Sequence, residues 1–207
     1  MIAVTGGNGL LGNFILKKFA DEKTAIVGIK REHSDMSFVD ETVKSLEWRN
    51  ANLNDSHSLM EAFKGVDQVI HAAALVSFDP RAKKEIYNTN VEGTRNVVNA
   101  CLSLGIKRMI LISSVAAIGR KKGQAHIDEE AQWTDNELNS DYANSKYLSE
   151  LEAFRGQEEG MSVSVVNPSI ILAPANTNKS SAKIFDYVLK SRRFYVDGDI
   201  NFVEGVA

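Results

Sequence analysis

The chain has 207 residues, 43% of them hydrophobic and 25% charged, with a formal net charge of −3. That is the balance of a soluble globular protein with one good core and part of a second lobe, and its slight acidity argues against nucleic acid or an anionic membrane as partner. No apolar run approaches the roughly 20 residues that span a bilayer, no basic and apolar leader precedes the first strand, and a single cysteine excludes an internal disulfide, so a reducing cytoplasm is the expected setting.

Ile2-Ala3-Val4 reads as a short strand. Val4-Thr5-Gly6-Gly7-Asn8-Gly9-Leu10-Leu11-Gly12 then forms a glycine turn that opens a helix, with Leu11, Phe14, Ile15 and Phe19 on one face. A helix N-terminus carries unpaired N–H groups and a partial positive charge, so strand, glycine turn and helix in this order favour a pyrophosphate-bearing ligand. Two registers fit: Gly7, Gly9 and Gly12 match G-x-G-x-x-G, while Gly6, Gly9 and Gly12 match a looser G-x-x-G-x-x-G. Thr24 to Ile29 is a second apolar strand. In a dinucleotide fold an acid at the end of that strand meets a ribose 2′-hydroxyl, whereas basic residues accommodate a 2′-phosphate. Lys30 and Arg31 stand there with no acid before Glu32, which favours NADP over NAD.

Residues 33–50 are polar and irregular until Leu46-Glu47-Trp48, a short third strand. Asn52-Leu53-Asn54-Asp55 leads into a helix capped by Asp55 or Ser56, with Leu59, Ala62 and Phe63 as its apolar face and Gly65 at its end. A fourth strand, Val66 to Ala74, finishes in Ala72, Ala73 and Ala74, small residues that leave room at the end where α/β sheets bind ligands. A helix entered through Asn88-Thr89-Asn90 carries Val91, Thr94, Val97, Val98, Cys101 and Leu102, which makes Cys101 a buried structural thiol. Arg108 to Ser114 is a fifth strand. A polar loop over residues 120–140 is followed by a helix with Tyr147, Leu148, Leu151 and Phe154 on one side, and Ser162 to Val166 is a sixth strand. Strands alternating with helices imply an α/β doubly wound parallel sheet over residues 1–168, with residues 169–207 as the start of a further lobe.

The chemistry gathers in Ser114, Tyr142 and Lys146. Tyr142 and Lys146 are four apart on a predicted helix and share a face, and Ser114 closes a strand whose carboxyl end faces the same crevice. A free phenol has a pKa near 10, and a nearby ammonium lowers it; reaching about 7 requires roughly 4 kcal/mol, more than one water-screened lysine supplies. An oxidised nicotinamide ring, itself cationic, is the second contributor this arithmetic calls for. The histidines show no ligand spacing, so no metal site is expected: His71 reads as a packed strand-end residue, and His33, His57 and His126 lie in loops or helix starts. Arg120-Lys121-Lys122 and the Lys190, Arg192 and Arg193 group read as solvated cations, the former close enough to Ser114 to meet an acidic substrate.

These segments, with Asn90-Val91-Glu92-Gly93-Thr94, Ser113-Ser114-Val115-Ala116-Ala117-Ile118-Gly119, Tyr142 to Lys146 and Asn167-Pro168-Ser169, resemble the extended short-chain dehydrogenase/reductases. That group includes sugar-nucleotide epimerases, dihydroflavonol reductases and hydroxysteroid dehydrogenases. The resemblance covers about residues 1–175, implies a Rossmann fold, and selects the Gly6, Gly9 and Gly12 register. It implies that Gly6, Asn8, Gly9, Leu10, Leu11, Gly12, Lys30, Arg31, Asn52, Leu53, Ala72, Ala73, Ala74, Asn90, Lys146, Asn167, Pro168 and Ser169 bind the dinucleotide. Asn52 stands where the family usually has Asp, near the adenine. Tyr142 would be the general acid/base, Lys146 would hold the nicotinamide ribose and lower the tyrosine's pKa, and Ser114 would bind the reacting oxygen. Val115 and Ala116 replace the acidic pair that dehydratases carry after the hydroxyl, so dehydration is disfavoured. Ala73 to Pro80, with Lys30 and Arg31, resembles the dihydroflavonol-reductase and hydroxysteroid-dehydrogenase branch. An NADP-dependent ketone or aldehyde reductase is the leading expectation, an NAD-dependent sugar-nucleotide epimerase the second, and a non-catalytic NAD(P) sensor the one from another class. The family's long helices, here around residues 91–104 and 142–156, imply a homodimer.

Overall fold

The computed structural model describes residues 1–119, 128–135, 139–173 and 190, and the backbone of 202–204. Arg120-Lys121-Lys122, His126, Arg192, Arg193 and most of the expected lobe over 169–207 lie outside the described residues.

Six strands form one all-parallel sheet: β1 (Ile2–Thr5), β2 (Ile26–Lys30), β3 (Glu47–Asn50), β4 (Gln68–His71), β5 (Arg108–Ile112) and β6 (Ser162–Val166), in the spatial order β3-β2-β1-β4-β5-β6. The order runs outward from β1 in both directions. The chain therefore reverses between β1 and β4, and a doubly wound sheet opens its ligand crevice at that reversal, beyond the carboxyl ends of the strands. The glycine turn leaves β1 there and the three alanines leave β4, in register Thr5 to His71.

Alternation along the strands feeds two cores. Ala3, Val69, Met109 and Leu111 face one side with Phe63, Val97, Val98, Cys101 and Ala153, while Val4, Ile70, Ile110 and Ile112 face the other with Leu16, Val39 and Val43. Helix α1 (Leu10–Asp21) and the short α2 (Glu41–Lys44) cover the second side; α3 (Ser56–Ala62), α5 (Gly93–Ser103) and α6 (Asp141–Glu158) cover the first. Asp55 caps α3 by accepting from His57 N and Ser58 N, as its position before the apolar run predicted. Cys101 is fully buried, and burial pushes its thiol up to about 12, so it stays protonated and inert.

Three helices differ from the sequence reading. On α1 the buried residues are Gly12 and Leu16, with half-buried Ile15 and Phe19 packed against the core while Leu11 and Phe14 lie outside it, because Gly12 must lie against the turn. The helix read from residue 88 onward begins earlier: α4 (Lys83–Tyr87) runs through one π turn at Asn88–Glu92 into α5. On α6 the buried face is small and polar, comprising Ala143, Ser145, Lys146, Ser149, Ala153 and Gly156, while Leu151 and Phe154 are exposed. Small residues allow close approach, and a Cβ on Gly156 would stand 2.9 Å from Val98 on α5. Beyond the sheet, β7 (Ile170–Leu172) pairs in parallel with β8 (Phe202–Glu204), a pairing the sequence reading missed.

Leu16 is completely buried beneath the sheet, whereas Phe154 is almost half exposed. Leu16→Ala is expected to remove about 2–5 kcal/mol of stability and Phe154→Ala under about 1 kcal/mol, measured by urea denaturation.

Candidate active site

The glycine turn is built on backbone-to-backbone contact. Gly6 has φ +68°, in the left-handed region, and a Cβ there would sit 2.7 Å from the Cα of Ala73. Gly9 N donates to the Gly6 carbonyl at 2.8 Å, and a Cβ on Gly12 would collide with that same carbonyl. A Cβ on Gly7 would meet mainly the movable end of Leu16, so the positions where the fold demands glycine include Gly6 and Gly12. Gly9 precedes α1 without a side-chain cap, and the first turn holds no acid, which leaves the N-terminal amides and their partial charge directed at the crevice. Asn8 Nδ2 donates to the Asp35 carbonyl at 3.2 Å and ties the turn to the loop after β2. At that strand end Lys30 Nζ donates to Asn50 Oδ1 at 3.1 Å and to the Glu32 carbonyl at 3.3 Å, while Arg31 is exposed. Asn52 Oδ1 accepts from Asn54 N, and the Leu53 carbonyl accepts from Asn96 Nδ2 at 2.8 Å, with Gly93 leaving room for the leucine side chain.

Beneath the crevice lies a directed chain of hydrogen bonds. Thr94 Oγ1 donates its one proton to the Asn90 carbonyl at 2.5 Å, so it can only accept from His71 Nε2 at 3.1 Å. That places the ring proton on Nε2 and leaves Nδ1 to accept from Thr5 Oγ1 at 2.6 Å, which in turn accepts from Ala73 N at 3.3 Å. His71 is 1% exposed, and burial, with repulsion from Lys146, pushes it down to about 3. The expectation that His71 is structural fits this neutral, doubly bonded ring.

Asn90, expected at the dinucleotide, is 1% exposed and its amide is fully engaged: Oδ1 accepts from Leu75 N at 2.7 Å, and Nδ2 donates to the Leu75 carbonyl and Ser145 Oγ. Its carbonyl also takes the Ser149 hydroxyl at 2.8 Å. Ser149 shares its one proton with the Ser145 carbonyl at 2.7 Å, and Asn90 joins α6 to the loop after β4.

Ser114, Tyr142 and Lys146 are brought together by β5 and α6. The Ser114 side chain lies close enough to the Tyr142 phenol to act on its ionisation. Ser114 begins a single 3-10 turn, Val115–Ala117, accepting from Ala116 N, and Ser140 caps α6 by accepting from Ala143 N. Lys146 is 2% exposed and donates to the Ile112 carbonyl at 2.8 Å; burial pulls it down to about 8, with the Glu150 carboxylate one turn on opposing that shift. Burial pushes Tyr142 above the usual phenol range, and the Ser114 side chain works against that shift.

Sequence reasoning named Asn167 and Pro168 at the dinucleotide but missed the contacts they make, and singled out neither Trp133 nor Phe78. Asn167 Nδ2 donates both to the Ser114 carbonyl at 3.0 Å and to Glu150 Oε1 at 2.6 Å, binding the strand end to α6, and the Pro168 carbonyl accepts from Val115 N. Trp133 stacks on Tyr147, rings 4.3 Å apart and 5° from parallel, and the backbone at Gln132 lies close enough to exclude any side chain on Gly119. Phe78 meets the Tyr142 ring edge-on at 6.0 Å. Among the described residues the one buried side-chain polar atom with no partner is Ser113 Oγ, beside Ser114 at the sheet's carboxyl edge. No cluster of metal-ligating side chains occurs among the described residues, and no helix there is long and apolar enough to cross a membrane.

The model of the NAD dependent epimerase/dehydratase family matches residues 2–193. The chain belongs to that family. It is 28% identical over 203 residues to a Synechocystis sp. protein provisionally named dihydroflavonol 4-reductase, covering 97% of this chain and 58% of that protein. It is 33% identical over 201 residues to the 3 beta-hydroxysteroid dehydrogenase/Delta 5-->4-isomerase of Monkeypox virus, covering 95% of this chain and 53% of the viral protein. A short-chain dehydrogenase/reductase superfamily protein from Agrobacterium tumefaciens, crystallised with bound NAD, has the same fold at TM-score 0.71 and 24% identity, over 83% of this chain and 50% of that one. The chain thus spans little more than half the length of these relatives.

His71 takes up its proton only on unfolding, because its pKa is about 3 folded against 6.5 free. Its contribution to stability is complete above pH 6.5 and is lost as the pH falls toward 3. Imidazole NMR is expected to show no His71 titration above pH 5; a midpoint near 6.5 contradicts the buried neutral ring.

Proposed function

We propose that the protein is an NADP-dependent oxidoreductase that reduces a ketone or aldehyde, with Ser114, Tyr142 and Lys146 as its working groups. The observation that carries this reading is the placement of Tyr142 beside Ser114, close enough for the serine side chain to act on the phenol, with Lys146 buried one turn further along α6.

A nicotinamide dinucleotide fits the residues present. The cradle at Gly6 and Gly12 admits no Cβ, the α1 N-terminus is uncapped, and the orphaned Ser113 hydroxyl lies at the same sheet edge. Gly6, Asn8, Gly9, Leu10, Leu11 and Gly12 would hold the pyrophosphate. Leu53 and Asn52 would meet the adenine, Lys30 and Arg31 the 2′-phosphate, and Ala72, Ala73 and Ala74 would leave room beside it. Lys146 would hold the ribose, with Asn167, Pro168 and Ser169 behind the ring. When bound, the group supplies the hydride.

The chain's own residues manage the oxygen and its proton. Ser114 and Tyr142, side by side, present two hydroxyls to a carbonyl oxygen. The phenol, kept protonated by burial, gives its proton to that oxygen as negative charge develops, a positioned transfer worth about 10²–10⁴-fold in rate. Val115 and Ala116 hold no acid or base for dehydration. Residues 1–168 form the dinucleotide-binding domain in this reading and 169–207 begin the substrate lobe. Exposed Leu151 and Phe154 on α6 suit a homodimer through α5 and α6.

Tyr142→Phe is expected to lower kcat at least about 100-fold while NADPH titration by protein fluorescence is unchanged; near-normal turnover overturns the role. Wild type is expected to bind NADPH more tightly than NADH, and Arg31→Glu to reverse that order. Equal or tighter NADH binding by the wild type overturns the NADP assignment.

A further inference from the structure

Tyr142, Lys146 and Glu150 stand four apart on α6, so a carboxylate follows the two working groups on the same face of the helix. A half-buried carboxylate ordinarily takes a cation as partner, and two residues on Glu152 does so, with Arg95 and Arg155 each at 2.9 Å. Glu150 spends its charge differently. Its Oε1 accepts from Asn167 Nδ2 at 2.6 Å, a short charge-assisted bond that joins α6 to the end of β6.

The second proton of that amide goes to the Ser114 carbonyl at 3.0 Å, so the amide nitrogen is fully used. The last torsion of an asparagine is soft, and a strong acceptor on one proton fixes the direction of the other. The Ser114 carbonyl also takes Ala117 N at 2.9 Å, and the Ser114 hydroxyl takes Ala116 N at 3.2 Å. Tilting that carbonyl therefore re-aims the hydroxyl beside Tyr142. The same carboxylate opposes the lowering that burial imposes on Lys146.

We propose that Glu150 is a positioning residue: through Asn167 it holds the Ser114 backbone, and so the Ser114 hydroxyl, in place beside Tyr142. The inference rests on the reading of Ser114 and Tyr142 as the groups that manage the reacting oxygen, and adds to them a residue that acts only through others. Removing the carboxylate frees the Asn167 amide and loosens the turn at Ser114, with the core of the sheet untouched.

The test is a double-mutant cycle with benzaldehyde and NADPH, alongside amide hydrogen exchange of the same proteins followed by NMR. Glu150→Ala is expected to lower kcat about tenfold with KM for benzaldehyde within about twofold, and to cost under about twofold where Ser114 is already replaced by alanine. Glu150→Gln keeps an acceptor for Asn167 without the charge and is expected to restore part of the loss. Exchange at Ala116 and Ala117 is expected to quicken about tenfold in Glu150→Ala, while that of Val4 in β1 is unchanged. Equal losses with and without the Ser114 hydroxyl, an unchanged kcat, unchanged exchange, or exchange quickened at Val4 as well overturn the proposal. Absent turnover by the wild type counts against the reductase reading, and the exchange rates then sustain or overturn the clamp by themselves. Should Glu150→Ala fail to fold, Asn167→Ala cuts the same link from its other end and is read by the same exchange.

Discussion

The contact on which the rest of the molecule depends is backbone against backbone at the sheet's reversal point. Gly6 lies against Ala73 and Gly12 against Gly6, at separations no side chain permits. Those approaches bring the end of β1, the end of β4 and the start of α1 into one crevice, with the first helical amides directed into it. Everything downstream is placed relative to that crevice. The same constraint shifts the inner face of α1 toward Gly12 and Leu16, since the helix must sit close enough for its third residue to touch the turn.

A second, polar constraint carries that geometry to the other half of the protein. The chain from Ala73 N through Thr5, His71 and Thr94 to the Asn90 carbonyl runs in one direction, each hydroxyl proton assigned by the acceptor beyond it. Buried polar groups are favourable only when fully satisfied, and this chain is satisfied at every member because His71 is neutral. Asn90 then joins the loop after β4 to Ser145 on α6, while Ser149 reaches the same residue from the next turn. The turn that would hold a phosphate and the helix that presents Tyr142 are thus held by one network. A charged His71 would break its direction, and the low pKa keeps that state out of reach near neutrality.

Much of this was legible in the chain. Alternating apolar runs and helical stripes predicted all six sheet strands, and the glycine spacing and the Tyr142–Lys146 pair marked the crevice before any coordinates. What escaped was long-range or low in contrast. The inward face of α6 is made of Ala143, Ser145, Ser149 and Gly156, which periodicity reads as weak because hydropathy measures polarity and not the space a close helix pair needs. The Asn167 bridge between Ser114 and Glu150, and the Phe78–Tyr142 pair, join residues 17 or more positions apart with no local pattern to announce them. The strand pair β7–β8 closes across a span whose connection sequence alone cannot supply.

The tyrosine's environment bears on the direction of chemistry. A lysine four residues away suggests a phenolate held ready as a base, yet Lys146 is turned to the Ile112 carbonyl and its own charge is weakened by burial, to about 8. Reaching neutrality from 10 already requires roughly 4 kcal/mol, and burial adds to that requirement for Tyr142 while a single neutral hydroxyl, Ser114, opposes it. The phenol is therefore protonated across the physiological range. A protonated tyrosine paired with a serine is suited to deliver a proton to an oxygen that is gaining negative charge, which is what the reduction of a carbonyl demands.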